Sequence, residues 1–149
     1  MLLSSHLQPV PILMADDDQD DCLLAQDALD ESRLTNPIFF VHDGIALLDF
    51  LHNRGAYADK KKYPRPGLIL LDLNMPRMDG RTALTKIKED SELRLIPVVI
   101  LTTSKQEQDV FQTYGLGANS FITKPVEFDD LVKTMRVLGE YWFSIVRLA

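Results

Sequence analysis

The sequence has a single cysteine, Cys22, in 149 residues. No internal disulfide can form within the chain, and a reducing compartment is the expectation. Long apolar runs are missing too: none approaches the roughly 20 residues that cross a bilayer. The opening stretch, "MLLSSHLQP", has no basic segment and no extended apolar core, so it does not read as a signal peptide. Positive charge is in deficit, with 16 Lys and Arg against 22 Asp and Glu and a formal net charge of −6. Nucleic acid bound by bulk electrostatics needs a basic face, so this balance argues against it. The three histidines, His6, His42 and His52, have no metal-ligand spacing and read as ordinary structural or surface residues. Together these absences leave a cytoplasmic protein with no membrane segment and no nucleic-acid partner.

What the chain does have is core. Hydrophobic residues make up 46% of it, enough for one compact domain of this length. Residues 1–9 read as an extension and 10–149 as the domain. Five short apolar runs stand out, at 10–15, 38–42, 68–71, 96–101 and 120–123. The third and fourth are apolar throughout, as strands buried on both faces should be. Helical spacing fills the gaps. Leu24, Ala25, Ala28 and Leu29 mark a first helix, Ala46, Leu47 and Phe50 a second, Ala83, Leu84 and Ile87 a third. Val110, Phe111 and Tyr114 mark a fourth, and Phe128, Leu131, Val132, Met135, Leu138 and Trp142 a long fifth. The stretch 55–67, "GAYADKKKYPRPG", reads as a plain loop, and Lys60, Lys61 and Lys62 as its solvated tip.

Strand and helix thus alternate five times, which predicts an α/β fold: an open, doubly wound parallel sheet covered on both faces. In such sheets, ligands sit beyond the carboxyl ends of the strands. The first strand runs into acids without transition, in "ILMADDDQDD", and ends at Asp16 and Asp17. The third ends at Asp72, the fourth at Thr102, and the fifth at Lys124-Pro125. Three acids, a hydroxyl and an ammonium are therefore expected at one edge.

Carboxylates gathered this closely raise one another's pKa unless a cation offsets them. A hard divalent ion takes oxygen ligands, and Mg²⁺, which keeps several waters and binds phosphate, is the natural occupant. Lys124 supplies a point charge for a phosphoryl oxygen, Thr102 a hydroxyl donor, and Asp72 an oxygen able to form an acyl phosphate. The chemistry inferred is Mg²⁺-assisted phosphoryl transfer to Asp72.

The motifs that carry these residues are "ILMADD" (12–17), "LILLDLNMPRMDG" (68–80), "PVVILTTS" (97–104) and "GANSFITKP" (117–125). In this order the chain resembles a two-component response regulator receiver domain. Asp72 to Thr102 spans 30 positions and Asp72 to Lys124 spans 52, as in receivers without insertions. The resemblance implies a flavodoxin-like fold of five strands in the order 2-1-3-4-5 with five helices. It implies that Asp72 is the phosphoacceptor. Asp17, Asp72 and the backbone carbonyl of Asn74 would bind Mg²⁺ directly, and Asp16 through water. Thr102 and Phe121 would be the switch pair, and Lys124, held by a cis bond to Pro125, would neutralise the phosphoryl group. Thr103 stands where many receivers have a smaller residue, and Phe121 where many have tyrosine. A finer resemblance is to the small response regulators of bacterial, especially cyanobacterial, phytochromes. It rests on "DDDQDD", the stretch "YPRPGLILLDLNMPRMDG", "LTTS" and the tail "GEYWFSIVRLA".

Bland readings fit some of these residues. Asp18, Asp20 and Asp21 suit a solvated helix start, with Asp18 as its N-cap. An EF-hand loop fails at Asp21, where glycine is required. A phosphohydrolase of the haloacid-dehalogenase type would need a second aspartate where Asn74 stands. The signalling reading implies a sensor histidine kinase as donor, a phytochrome by the finer resemblance. It makes the chain a switch more than an enzyme. The aromatic tail, with Tyr141, Trp142 and Phe143, suggests a homodimer built on the last strand–helix face.

Overall fold

The computed structural model describes residues 10–31, 36–73, 75–102, 120–123 and 128–138. Strands β1 (Ile12–Ala15), β2 (Ile38–Val41), β3 (Leu68–Asp72), β4 (Val98–Thr102) and β5 (Ser120–Thr123) pair in parallel. They form one sheet in the order β2-β1-β3-β4-β5. Helices α1 (Gln19–Glu31), α2 (Gly44–Leu51), α3 (Gly80–Glu89) and α4 (Phe128–Leu138) connect or flank them. The helix expected around Val110 and Tyr114, the extension 1–9 and the tail beyond 138 lie outside the described residues.

Two strands start later than their apolar runs because proline intervenes. Pro11 and Pro97 have no N–H to give a ladder, so β1 opens at Ile12 and β4 at Val98. Alternation then divides the core. Leu13, Ala15, Ile69, Leu71 and Ile100 face α2 and α3, with Leu47, Leu84 and Ile87 packed over them. Ile12, Met14, Leu68, Leu70 and Val99 face the other way, beneath Ala25, Leu29 and Val132 of α1 and α4. β1 and β3 are buried on both faces, as their unbroken apolar sequence requires.

The first helix turns differently from its expected stripe. Its buried residues are Cys22, Ala25, Ala28 and Leu29, while Leu24 is exposed. Two residues carry the helix about 200° around, so burying Cys22 turns Leu24 outward. The stretch 55–67 is also more than a plain loop. It holds a short 3-10 turn, Gly55–Tyr57. Asn53, at a left-handed φ of 53°, donates its side-chain amide to the carbonyls of Tyr57 and Tyr63, both at 3.0 Å. Tyr57 and Tyr63 meet edge to face at 5.1 Å and close over Phe50. Aromatic pairs of this kind contribute about 0.5–1.5 kcal/mol each beyond their burial. The largely exposed Arg65–Glu92 ion pair contributes roughly 0–1 kcal/mol, so the rings hold the loop. Lys60, Lys61 and Lys62 are exposed as expected.

Candidate functional site

The chain winds outward from β1 to β2, then crosses back to β3 on the other side of β1. That reversal opens a crevice at the carboxyl ends of β1 and β3. Ala15 lies opposite Leu71 in the ladder, so the next residues stand side by side at the sheet's carboxyl edge: Asp16 just past β1, and Asp72 as the last residue of β3. Carboxylate oxygens of Asp16, Asp17 and Asp72 lie within 4.8 Å of one another. Asp16 and Asp72 are buried and Asp17 is exposed, which gives the cluster two fixed walls and one side open to water.

The turn between β1 and α1 is held by its own aspartates. The Asp18 N–H donates to Asp16 Oδ1 at 2.9 Å. Asp18 in turn caps α1, its Oδ1 accepting from the N–H groups of Asp20 at 2.8 Å and Asp21 at 3.4 Å. The expected capping role of Asp18 is thus what the geometry gives. Two further side chains reach the Asp16 carbonyl oxygen: His42 Nδ1 at 3.0 Å and the Cys22 thiol at 3.8 Å. Sequence spacing alone does not single out His42. Register does: Ala15 faces Val41, so the residue after each strand faces the other, Asp16 against His42.

On the β3 side, the segment after Asp72 is fastened at both ends. Gly80 donates its N–H to the Leu73 carbonyl at 2.9 Å, and Asp79 caps α3 by accepting from Thr82 N–H at 2.9 Å. Gly44 N–H donates to the Met78 carbonyl at 3.0 Å. Arg77, with a left-handed φ of 65°, reaches Asp43 at 3.5 Å, and Asp43 also caps α2 through Ala46 N–H at 2.7 Å.

Thr102 is the last residue of β4 and pairs in register with Thr123, and Phe121 pairs with Ile100. Their strand positions are described, while their side chains lie outside the description, as do Asn74, Lys124 and the Lys124-Pro125 bond in full.

The donor set is all carboxylate oxygen, with no nitrogen or sulfur among the three groups. That is hard-cation chemistry. Two of the three acids are buried, where like charges this close destabilise each other unless a cation intervenes. The cluster fits Mg²⁺ in both respects. Among the described residues, no helix is long and apolar enough to cross a membrane.

A family model described as the response regulator receiver domain matches residues 12–136. The chain is 40% identical over 140 residues to the response regulator Rcp1 of Synechocystis sp., covering 94% of this chain and 93% of that protein. Among solved structures, it is similar to the phosphorylated cyanobacterial phytochrome response regulator RcpA, with a TM-score of 0.84 and 38% identity. That match covers 93% of this chain and 96% of the other. It is also similar to the Mn²⁺-bound form of Rcp1, with a TM-score of 0.79 and 40% identity over 91% and 95% of the two chains.

Proposed function

The chain belongs to the response regulator receiver family, and from that premise we propose that it is a single-domain response regulator phosphorylated on Asp72 by a phytochrome histidine kinase. One observation carries the reading: carboxylates from β1 and β3 converge within 4.8 Å at the switch point of the sheet. Receivers take phosphoryl groups from histidine kinases and bind Mg²⁺, and a relative of this chain holds Mn²⁺. The phytochrome donor is supported by similarity to Rcp1 and to RcpA over nearly the full length of each chain. The reading puts the chain in the cytoplasm with its kinase.

In this reading Asp17, Asp72 and the Asn74 carbonyl hold Mg²⁺ directly, and Asp16 acts through a water. The ion, when bound, neutralises charge that builds on the phosphoryl oxygens. One Asp72 oxygen attacks phosphorus. The O–P bond forms as the P–N bond of the kinase phosphohistidine breaks, and the imidazole leaves with the electron pair and takes a proton from solvent. Buried at the end of β3 and backed by the fixed turn of Gly80, Asp72 has little freedom, so its attack geometry is set before the donor arrives. Lys124 pairs with the acyl phosphate, and the Thr102 hydroxyl moves toward it while Phe121 turns inward. Output is then a population shift on the face made by the last two strand–helix units, read by a homodimer partner.

A phosphohydrolase using Asp72 as nucleophile is less well supported, because Asn74 cannot serve as the general acid that chemistry requires. The test is intact mass after incubation with acetyl phosphate and Mg²⁺. Wild type gains one phosphoryl group, and gains none when the metal is chelated. Asp72→Asn gains none under either condition. Phosphorylation of the Asp72→Asn chain to the wild-type extent would sink the assignment.

A further inference from the structure

The side chains gathered at this site are acids, but the peptide that joins two of them, Asp16 and Asp17, is held by an imidazole. The Asp16 carbonyl carbon and oxygen, the Asp17 nitrogen and both Cα atoms lie in one rigid plane. Whatever holds that oxygen restrains the rotations on either side of the plane, ψ of Asp16 and φ of Asp17, from which the two side chains take their directions. His42 Nδ1 lies 3.0 Å from it, and the Cys22 thiol 3.8 Å on the helix side. A carbonyl oxygen only accepts, so the contact requires the proton on Nδ1. The Asp16 N–H, one plane earlier, donates to the Val41 carbonyl at 3.0 Å. The end of β1 is thereby tied on both sides of Asp16 to the end of β2, by the two consecutive residues Val41 and His42.

We propose that His42 is a positioning residue for the divalent ion: its Nδ1–H holds the Asp16–Asp17 peptide in the orientation that points both carboxylates at Asp72. This rests on the reading of the acidic cluster as the metal site. Thiols are weak donors and 3.8 Å is long, so the imidazole is the stronger of the two ties. His42 is exposed at the surface, so its replacement creates no cavity, and the effect on the metal separates from any effect on folding.

The experiment is Mn²⁺ binding to the full chain, followed by the electron paramagnetic resonance of the unbound ion, with urea unfolding of each variant alongside. Three variants divide the possibilities. His42→Ala removes the donor. His42→Asn returns an amide N–H close to where Nδ1 stood. His42→Gln carries its amide one bond too far, nearer the Nε2 position. Loss of one hydrogen bond behind a metal ligand predicts roughly a threefold to tenfold weaker affinity in the Ala and Gln variants. The Asn variant stays within about twofold of wild type by the same reasoning. Equal affinity in wild type and His42→Ala overturns the proposal, and so does an Asn variant as weak as Ala. A lower urea midpoint in His42→Ala with unchanged Mn²⁺ affinity makes the role structural and overturns it too. Failure of wild type itself to bind Mn²⁺ removes the reading of the site, and this inference with it.

Discussion

A methyl group at position 80 would have nowhere to go. Built on the Gly80 backbone, a Cβ would overlap the carbonyl oxygen of Asp72 and stand 2.8 Å from Leu73 Cα. The three nearest atoms are all main chain, so no side chain can swing aside to relieve them. Gly80→Ala should therefore push the start of α3 away from the end of β3. Overpacking of this kind costs about 1–3 kcal/mol, read as a lower urea midpoint at unchanged slope. Phosphorylation by acetyl phosphate should slow as well, because the displaced atoms belong to Asp72 itself. An Ala variant with wild-type stability and rate would mean that the close approach is relaxed at no cost. The "MDG" motif carries this constraint in the sequence, yet nothing in the sequence says what the glycine touches. That needs the α3 start and the β3 end to be brought together. The same holds for His42, whose partner becomes visible only once β2 is known to lie beside β1.

At the scale of elements, one aspartate ends a helix and starts the next turn. Asp90 follows α3, and its Oδ1 accepts from the N–H groups of Glu92 at 2.9 Å and Leu93 at 3.0 Å. Those hydrogen bonds, Leu93 first and then Glu92, hold its carboxyl below the usual carboxylate range. A depressed folded value means that the unfolded chain binds the proton more readily. The stabilisation is therefore fully present above the unfolded value, near 4, and is lost as pH falls through the folded one. Asp90→Asn keeps an oxygen acceptor but cannot titrate. Its chemical denaturation midpoint should fall less steeply than that of wild type as pH drops below about 4. Parallel acid limbs in the two proteins would show that Asp90 does not contribute to the pH dependence. Capping aspartates were legible only in part. Asp18 precedes an obvious helix, whereas Asp90 supports a 3-10 turn, Leu93–Leu95, too short to leave a periodic signal. The aromatic loop escaped for a related reason. Glycines, prolines and lysines dominate 55–67, and the ring contacts to Phe50 depend on tertiary placement.

For the whole molecule, the fold was legible because β1 and β3 are buried on both faces and so read as unbroken apolar runs, each ending abruptly in acid. The tertiary consequence, acids from two strands meeting at one crevice, followed from topology. Topology does not say where a second copy of the chain would dock. α4 packs on α1 with Val132 buried beneath it, while Val137 projects outward, 63% exposed. Beyond α4 the sequence continues with Tyr141, Trp142, Phe143, Ile145 and Val146, more apolar residues than one core-facing helical stripe calls for. A two-fold dimer through this face would cover Val137 from both copies, since a symmetric interface uses the same patch twice. Sedimentation velocity from about 1 to 200 micromolar, a span wide enough for a micromolar association, should give a coefficient that rises with concentration. Val137→Glu should weaken that association by roughly tenfold or more, because the charge would be buried without a partner. Its urea midpoint should stay near wild type, since an exposed substitution costs the monomer little. Phosphorylation of Asp72 then becomes the informative variable. If the acyl phosphate acts through the last strand–helix units, the dimer constant moves on phosphorylation and does not move in Asp72→Asn. A chain that sediments as a monomer at 200 micromolar, phosphorylated or not, would refute the dimer and leave the phosphoacceptor assignment standing.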